Sequence, residues 1–175
     1  MGRDAHSIPT DPEDPGLPRA RRARLVRRFG VVLLVVFVGL GASGVLGVRT
    51  TSVSASGGGY ELTVTYPAVT RPGLASRWGF ELTRAGGFDG PITVATTHAW
   101  LDLFDENGRN PAPSAETVDG DMLVWEFDPP EGDTLTFVFD ARLGPSEQSG
   151  MTARTEVRED TAAIVSVSYT TTVMP

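Results

Sequence analysis

Between Phe29 and Val48 the chain runs for twenty residues without a charged side chain (FGVVLLVVFVGLGASGVLGV), directly after six arginines, Arg19, Arg21, Arg22, Arg24, Arg27 and Arg28. At about 1.5 Å per residue, a helix of that length reaches roughly 30 Å, the thickness of a bilayer's hydrocarbon core. The stretch predicts a transmembrane signal-anchor helix over 29–48. Only Arg49 marks the far flank, so the excess of arginine on the near side places residues 1–28 in the cytoplasm and the rest outside. The expected product is a single-pass cell-membrane protein with an extracytoplasmic C-terminal domain. The alternative is a cleaved signal peptide, with Val53 and Ala55 as the small residues before the cut. A signal's apolar region is about 7 to 15 residues, shorter than this one.

Residues 1–18 carry Pro9, Pro12, Pro15 and Pro18 among Asp, Glu and Gly. They hold too few apolar side chains to offset the entropy of ordering, so 1–28 reads as a disordered cytoplasmic tail that ends in the basic juxtamembrane cluster. Such a cluster also attracts anionic lipid, at about 1 kcal/mol per Arg. His6 stands where N-myristoylation wants Ser or Thr, which removes that modification. Within the anchor, Gly39, Ser43 and Gly47 recur every four residues. They form a candidate helix-packing face, because small residues let a second helix approach closely.

Charge divides the chain. Residues 1–28 hold seven Arg against four Asp/Glu, a net of +3, whereas 49–175 hold eight Arg against eighteen Asp/Glu, a net of -10. An outer part this acidic repels phosphate backbones, so no nucleic-acid partner is expected. There is no cysteine, which excludes disulfides, thiol nucleophiles and thiolate metal sites. All fifteen basic residues are Arg, a bias that points to a GC-rich, actinobacterial type of genome.

Beyond the anchor, hydrophobicity alternates with a period of two, the pattern of half-buried strands. Tyr60 to Tyr66, Trp78 to Leu82, Ile92 to Thr96, Leu123 to Phe127, Leu135 to Leu143, Met151 to Val157 and Val165 to Val173 make seven strands. Residues 49–58 are either an eighth, edge strand or a spacer, and 59–175 form the domain. Gly, Pro and Asp turns separate the strands, and no long helical pattern supplies parallel crossovers. The fold class is all-β: an antiparallel immunoglobulin-like β-sandwich of about seven or eight strands behind one transmembrane helix. Thr97 to Phe104 (THAWLDLF) fits a short helix or a strand edge equally well.

The succession Trp125, Phe127, Pro130, Gly132, Leu135, Phe137, Phe139, Gly150 and the last Thr/Val-rich strand resembles bacterial immunoglobulin-like surface modules. The resemblance covers about the last 55 residues. It implies an adhesive, spacing or assembly role and carries over no catalytic residue.

Candidate chemistry is sparse. His98 has no second histidine or cysteine in the outer domain to work with, and no G-x-S-x-G elbow is present. Asp102, Asp105, Glu106 and Asn107 are the best acidic group, with Asp102, Asp105 and Asn107 as candidate calcium ligands. An EF-hand loop from Asp105 fails at its sixth position, where Asn110 replaces the required glycine. The competing reading makes Asp105-Glu106-Asn107-Gly108 a turn. The aromatics read as core, except Phe88 in AGGFDG, which is either a partner-contact tip or a lid tucked over the sandwich end. No cofactor and no catalytic residue are expected. The composite expectation is a non-enzymatic, membrane-anchored binding or scaffolding module, with the lipid bilayer and a protein in the membrane or envelope as partners. A ligand-sensing ectodomain and an envelope hydrolase are the rivals.

Overall fold

The computed structural model describes residues 17–42, 48–146 and 149–174. The chain divides into two compact units, 1–46 and 47–175.

The first unit contains α1, Leu17–Ala42. Pro18 falls in its first turn, where a missing N–H costs nothing, and the Arg, Ala and Leu that follow are strong helix formers. The helix therefore reaches back through 17–28, so the later part of the segment expected to be a disordered tail is helical. Residues 1–16 lie outside the described residues. Within α1, Arg22–Ala42 is the one stretch, among the described residues, long and apolar enough by length and composition to cross a membrane. It is apolar on all sides from Phe29 onward. Of the expected packing face, Gly39 is on α1 and has open space around it, while Ser43 and Gly47 lie outside the described residues.

The second unit is a β-sandwich of ten strands: β1 (Arg49–Gly57), β2 (Tyr60–Thr70), β3 (Ala75–Arg84), β4 (Ile92–Thr97), β5 (Phe104–Asn110), β6 (Ala115–Asp119), β7 (Met122–Phe127), β8 (Thr134–Leu143), β9 (Met151–Glu159) and β10 (Ala162–Val173). One layer runs β1-β2-β3-β8-β5 and the other β10-β9-β4-β7-β6, antiparallel throughout. A short parallel pairing joins the layers, with Thr172 against Val69 and Val173 against Thr70. All seven strands expected from alternation are present. Residues 49–57 are a strand and not a spacer, tied to β2 by the turn Gly58-Gly59. Both glycines have positive φ (58° and 83°), the two-residue turn whose twist matches a hairpin.

Two strands had no apolar alternation to announce them. β5 contains Asp105-Glu106-Asn107-Gly108, which is not a turn. It pairs with β8, with a register shift between Glu106 and Gly108 that leaves Asn107 as the extra residue of a bulge. β6 is exposed along its whole length. Between β4 and β5, the ambiguous segment forms one helical turn, α2 (His98–Leu101), with Trp100 and Leu101 buried.

Strand alternation sends Leu62, Val64, Trp78, Phe80, Leu82, Phe137 and Leu143 inward from one layer and Val94, Trp125, Phe127, Val157, Val167 and Tyr169 from the other. Trp78 is the hub of the core. Its ring lies 5.8 to 6.2 Å from those of Phe80, Trp100, Trp125, Phe137 and Phe139, at tilted or edge-on angles that aromatic quadrupoles favour. Several of the core's polar groups are paired between elements, Thr96 with Thr155 at 3.0 Å, Thr155 with the Tyr169 hydroxyl at 2.9 Å, and Trp100 Nε1 donating to Thr171 at 3.1 Å, whereas the Trp78 indole N–H is buried without a hydrogen-bond partner among the described residues. Burial pushes the Tyr169 hydroxyl far above its usual pKa, so it stays protonated.

Candidate functional site

Three places on the β-sandwich carry organised polar chemistry. The first is the edge where the chain crosses between layers, from β5 to β6. Arg109 on β5 has Nε 3.2 Å from Glu106 and Nη1 on Glu116 of β6, and the indole N–H of Trp125 donates to the same Glu116 oxygen at 2.8 Å. Nearby, His98 Nε2 lies 3.5 Å from the Asp102 carboxylate, one helical turn on. These side chains, with Leu101, Phe104, Leu123 and Phe139, line a cavity of about 230 Å³. Burial alone would raise the pKa of Glu116, but hydrogen bonds from Arg109 and Trp125 and the nearby positive charge outweigh it and hold the carboxyl below its usual value. The arrangement therefore fixes a negative charge between a guanidinium and an indole.

The second place is the outward side of β9. Glu156 should face solvent by alternation, yet it is only 2% exposed. Its cross-strand neighbours are Ala95 and Ser166, too small to fill the surface, so Arg154 and Arg158 lie down over it. Arg158 Nε reaches one Glu156 oxygen at 2.7 Å, Arg154 Nε the other at 3.1 Å, and Arg158 Nη1 holds Asp119 at 2.8 Å. Burial works against the charge of Arg158, but the two carboxylates more than compensate and raise its pKa.

The third is a groove of about 260 Å³ on the outer face of the other layer, floored by Gly79 and rimmed by Thr63, Thr65, Arg77, Glu81, Thr136 and Val138. A Cβ at Gly79 would sit 2.4 Å from the Phe137 carbonyl oxygen, so only glycine permits this close approach of β3 to β8. Hydroxyl pairs continue the same face onto β1, Ser52 with Thr65 and Ser54 with Thr63, each at 2.8 Å.

Asp102, Asp105 and Asn107 are spread along the first site, Asp102 at the end of α2 and the other two exposed on β5. Among the described residues, no group of three or more His, Asp or Glu side chains gathers closely enough to hold a metal ion. Phe88 is half-buried over the sandwich end, its ring 6.3 Å from that of Tyr60, the arrangement of a tucked lid. Arg84 sits over the Tyr60 ring, 5.2 Å from its centre, and pairs with Asp89 at 2.9 Å. Of the anchor arginines, Arg22, Arg24, Arg27 and Arg28 are exposed on α1, and Arg19 and Arg21 belong to the same helix.

Sequence reasoning met Arg109 and Glu116 only inside the EF-hand loop from Asp105 that it rejected, and it did not single out Glu156 or Arg158. The only signal for the last two is the pattern Arg154-x-Glu156-x-Arg158, which on a strand puts three alternating charges on one face.

No family model matches the sequence, and no curated protein does. Among solved structures the fold is similar to a non-cellulosomal cohesin from the hyperthermophilic archaeon Archaeoglobus fulgidus, at 12% identity and a TM-score of 0.37, over 73% of this chain and 92% of the cohesin. It is similar to the same degree, a TM-score of 0.37 at 10% identity, to AvmM, described as catalysing macrocyclization in alchivemycin A biosynthesis, over 71% of this chain and 98% of that one. One of these neighbours is an enzyme and the other a cohesin, and likenesses this weak carry no function across.

Proposed function

We propose that this chain is a single-pass, membrane-anchored binding module that holds its β-sandwich on the extracytoplasmic side and engages a protein partner there without catalysis. The observation that carries the reading is the surface of α1. Leu25, Val26, Phe29 and nine further large apolar side chains up to Leu40 are each half or more exposed along one continuous helix. At about 1.5–3 kcal/mol for burying each such side chain, leaving them in water forgoes on the order of 20 kcal/mol. A bilayer covers them all, and the six arginines at the N-terminal flank orient the helix with that end inside.

Support for binding comes from the β-sandwich itself. Its tryptophans are spent in the core, and its outer faces carry preorganised hydroxyls and the Gly79 groove, a shallow rigid surface of the kind a protein contact uses. The test is crosslinking in native membranes from a photoreactive residue at Thr136, on the groove rim, with Glu131 as the control position. A protein captured in stoichiometric yield from 136 and not from 131 supports the reading, and equal or absent capture contradicts it.

The cavity around Arg109, Glu116, His98 and Asp102 favours a second reading, a ligand-sensing ectodomain that works with a membrane partner. That reading requires a small anionic or hydroxylated compound to raise the melting temperature of the β-sandwich, and Arg109→Ala to remove the shift.

A further inference from the structure

At one end of the β-sandwich several segments converge. Arg49 opens β1 opposite Val69, and Val69 pairs with Thr172 near the end of β10. Met174 N–H donates to the Thr70 carbonyl at 2.9 Å, Gly73 N–H to that of Leu143 at 2.9 Å, and Leu143 N–H to that of Leu74 at 3.1 Å. Among the described residues of this unit, only three large hydrophobic side chains are exposed, and two of them, Leu74 and Met174, stand at this end, 41% and 36% exposed. Arg71, in the turn before Leu74, has a buried Nε with no hydrogen-bond partner. Arg142 is exposed beside Ala75 in the ladder. Neither arginine makes an ion pair among the described residues, although Asp105 is the register partner of Arg142 on β5. Asp102, Asp119 and Asp121 also stand at this end, in or beside the segments that lead into β5 and β7, and Asp119 is engaged by Arg158. Three of the eight arginines of 49–175, Arg49, Arg71 and Arg142, thus gather at this end beside the exposed Leu74 and Met174. This end is also the corner through which the chain passes from α1 into β1, with five residues, 43–47, outside the described segments between them.

We propose that this corner is a lipid-facing surface, with Leu74 and Met174 dipping into the headgroup region and Arg71 and Arg142 meeting anionic phospholipid phosphates. Leu and Met supply apolar area for the interface, and the arginines supply its charge dependence. The inference rests on the membrane-anchored reading and adds to it a defined face of the domain that touches the bilayer. Each arginine removed is expected to lower the population of the lipid-docked state about fivefold.

The absence of cysteine makes the test direct. The full chain carries one spin label, at Ala75→Cys beside Leu74 or at Glu131→Cys in the loop before β8, and is reconstituted in bilayers of phosphatidylcholine with or without phosphatidylglycerol. Accessibility to a water-soluble nickel chelate and to oxygen is then read by electron paramagnetic resonance. In anionic bilayers the label at 75 is expected to be shielded from nickel and open to oxygen, and the label at 131 the reverse. High salt, or Arg71→Glu with Arg142→Glu, returns position 75 to the behaviour of position 131. Equal accessibility at the two positions in anionic bilayers overturns the proposal, as does shielding that ignores salt and both substitutions. Shielding at 75 that persists in detergent marks a protein contact and also overturns it. The same sample is washed with carbonate. Loss of the chain from the bilayer overturns the anchored reading itself, whereas a retained chain with position 75 in water overturns only the lipid-facing corner.

Discussion

Glu156 is the most informative residue to remove, because its ion pairs differ in burial. Deleting one partner of a buried pair costs about 3–5 kcal/mol, since the other charge is left desolvated. Arg154 is 52% exposed and turns to water when Glu156 is gone, so its share is at most about 1 kcal/mol. Arg158 is 11% exposed but keeps Asp119, so it is not orphaned. The loss expected for Glu156→Ala is therefore about 2–3 kcal/mol, below the buried-pair range. For a domain of this size that corresponds to a fall in Tm of about 10 °C. Glu156→Gln keeps the volume and one acceptor and should lose about half as much. Trp78, Trp100 and Trp125 all lie in the β-sandwich and α1 has no tryptophan, so tryptophan fluorescence of the full chain in detergent follows this unit alone. Glu159→Ala, exposed on the same strand, should shift Tm by less than about 2 °C. A shift that small for Glu156→Ala would refute the argument that the paired arginines are held down by a desolvated carboxylate.

Further outcomes follow from the same geometry. Gly79→Ala, whose new Cβ meets the Phe137 carbonyl, should cost about 1–3 kcal/mol by chemical denaturation because the β3/β8 backbone must part to admit it. Tyr169→Phe removes a buried hydroxyl bonded to Thr155 and should cost about 1 kcal/mol in the same measurement. Glu116 has its pKa lowered on folding from 4.5, so its contribution to stability is present above that value and is lost as pH falls through the lower, folded value. Glu116→Gln should flatten the stability profile in that acid range and leave its slope near neutral pH unchanged.

The legible parts of the fold were those with one wet and one dry face. Tyr60-x-Leu62-x-Val64 and Leu135-x-Phe137-x-Phe139 declare their strands because every second residue enters the core. β5 and β6 are edge strands with little inward burial, and Asp105 to Gly108 has turn propensity. There the ladder with β8 overrides local preference and stores the mismatch as a bulge at Asn107. The extent of α1 was missed at its start because prolines and acids before Leu17 dominate the composition, whereas Arg19 to Arg28 is a good helical sequence. Glu156 was illegible for a different reason. Alternation correctly puts it on the outer face, but exposure there depends on Ala95 and Ser166 across the ladders, and nothing in β9's own sequence reports them. The Arg109–Glu116 contact likewise depends on a chain crossing between layers, which brings together side chains seven residues apart.

The proposed topology is an anchored helix with the β-sandwich outside. Its most direct test places single cysteines at Ser7 and at Thr136 in separate full-length chains and labels intact cells with a membrane-impermeant maleimide. Thr136→Cys is expected to label in intact cells and Ser7→Cys only after lysis. Labelling of Ser7→Cys in intact cells, with Thr136→Cys protected until lysis, would contradict it.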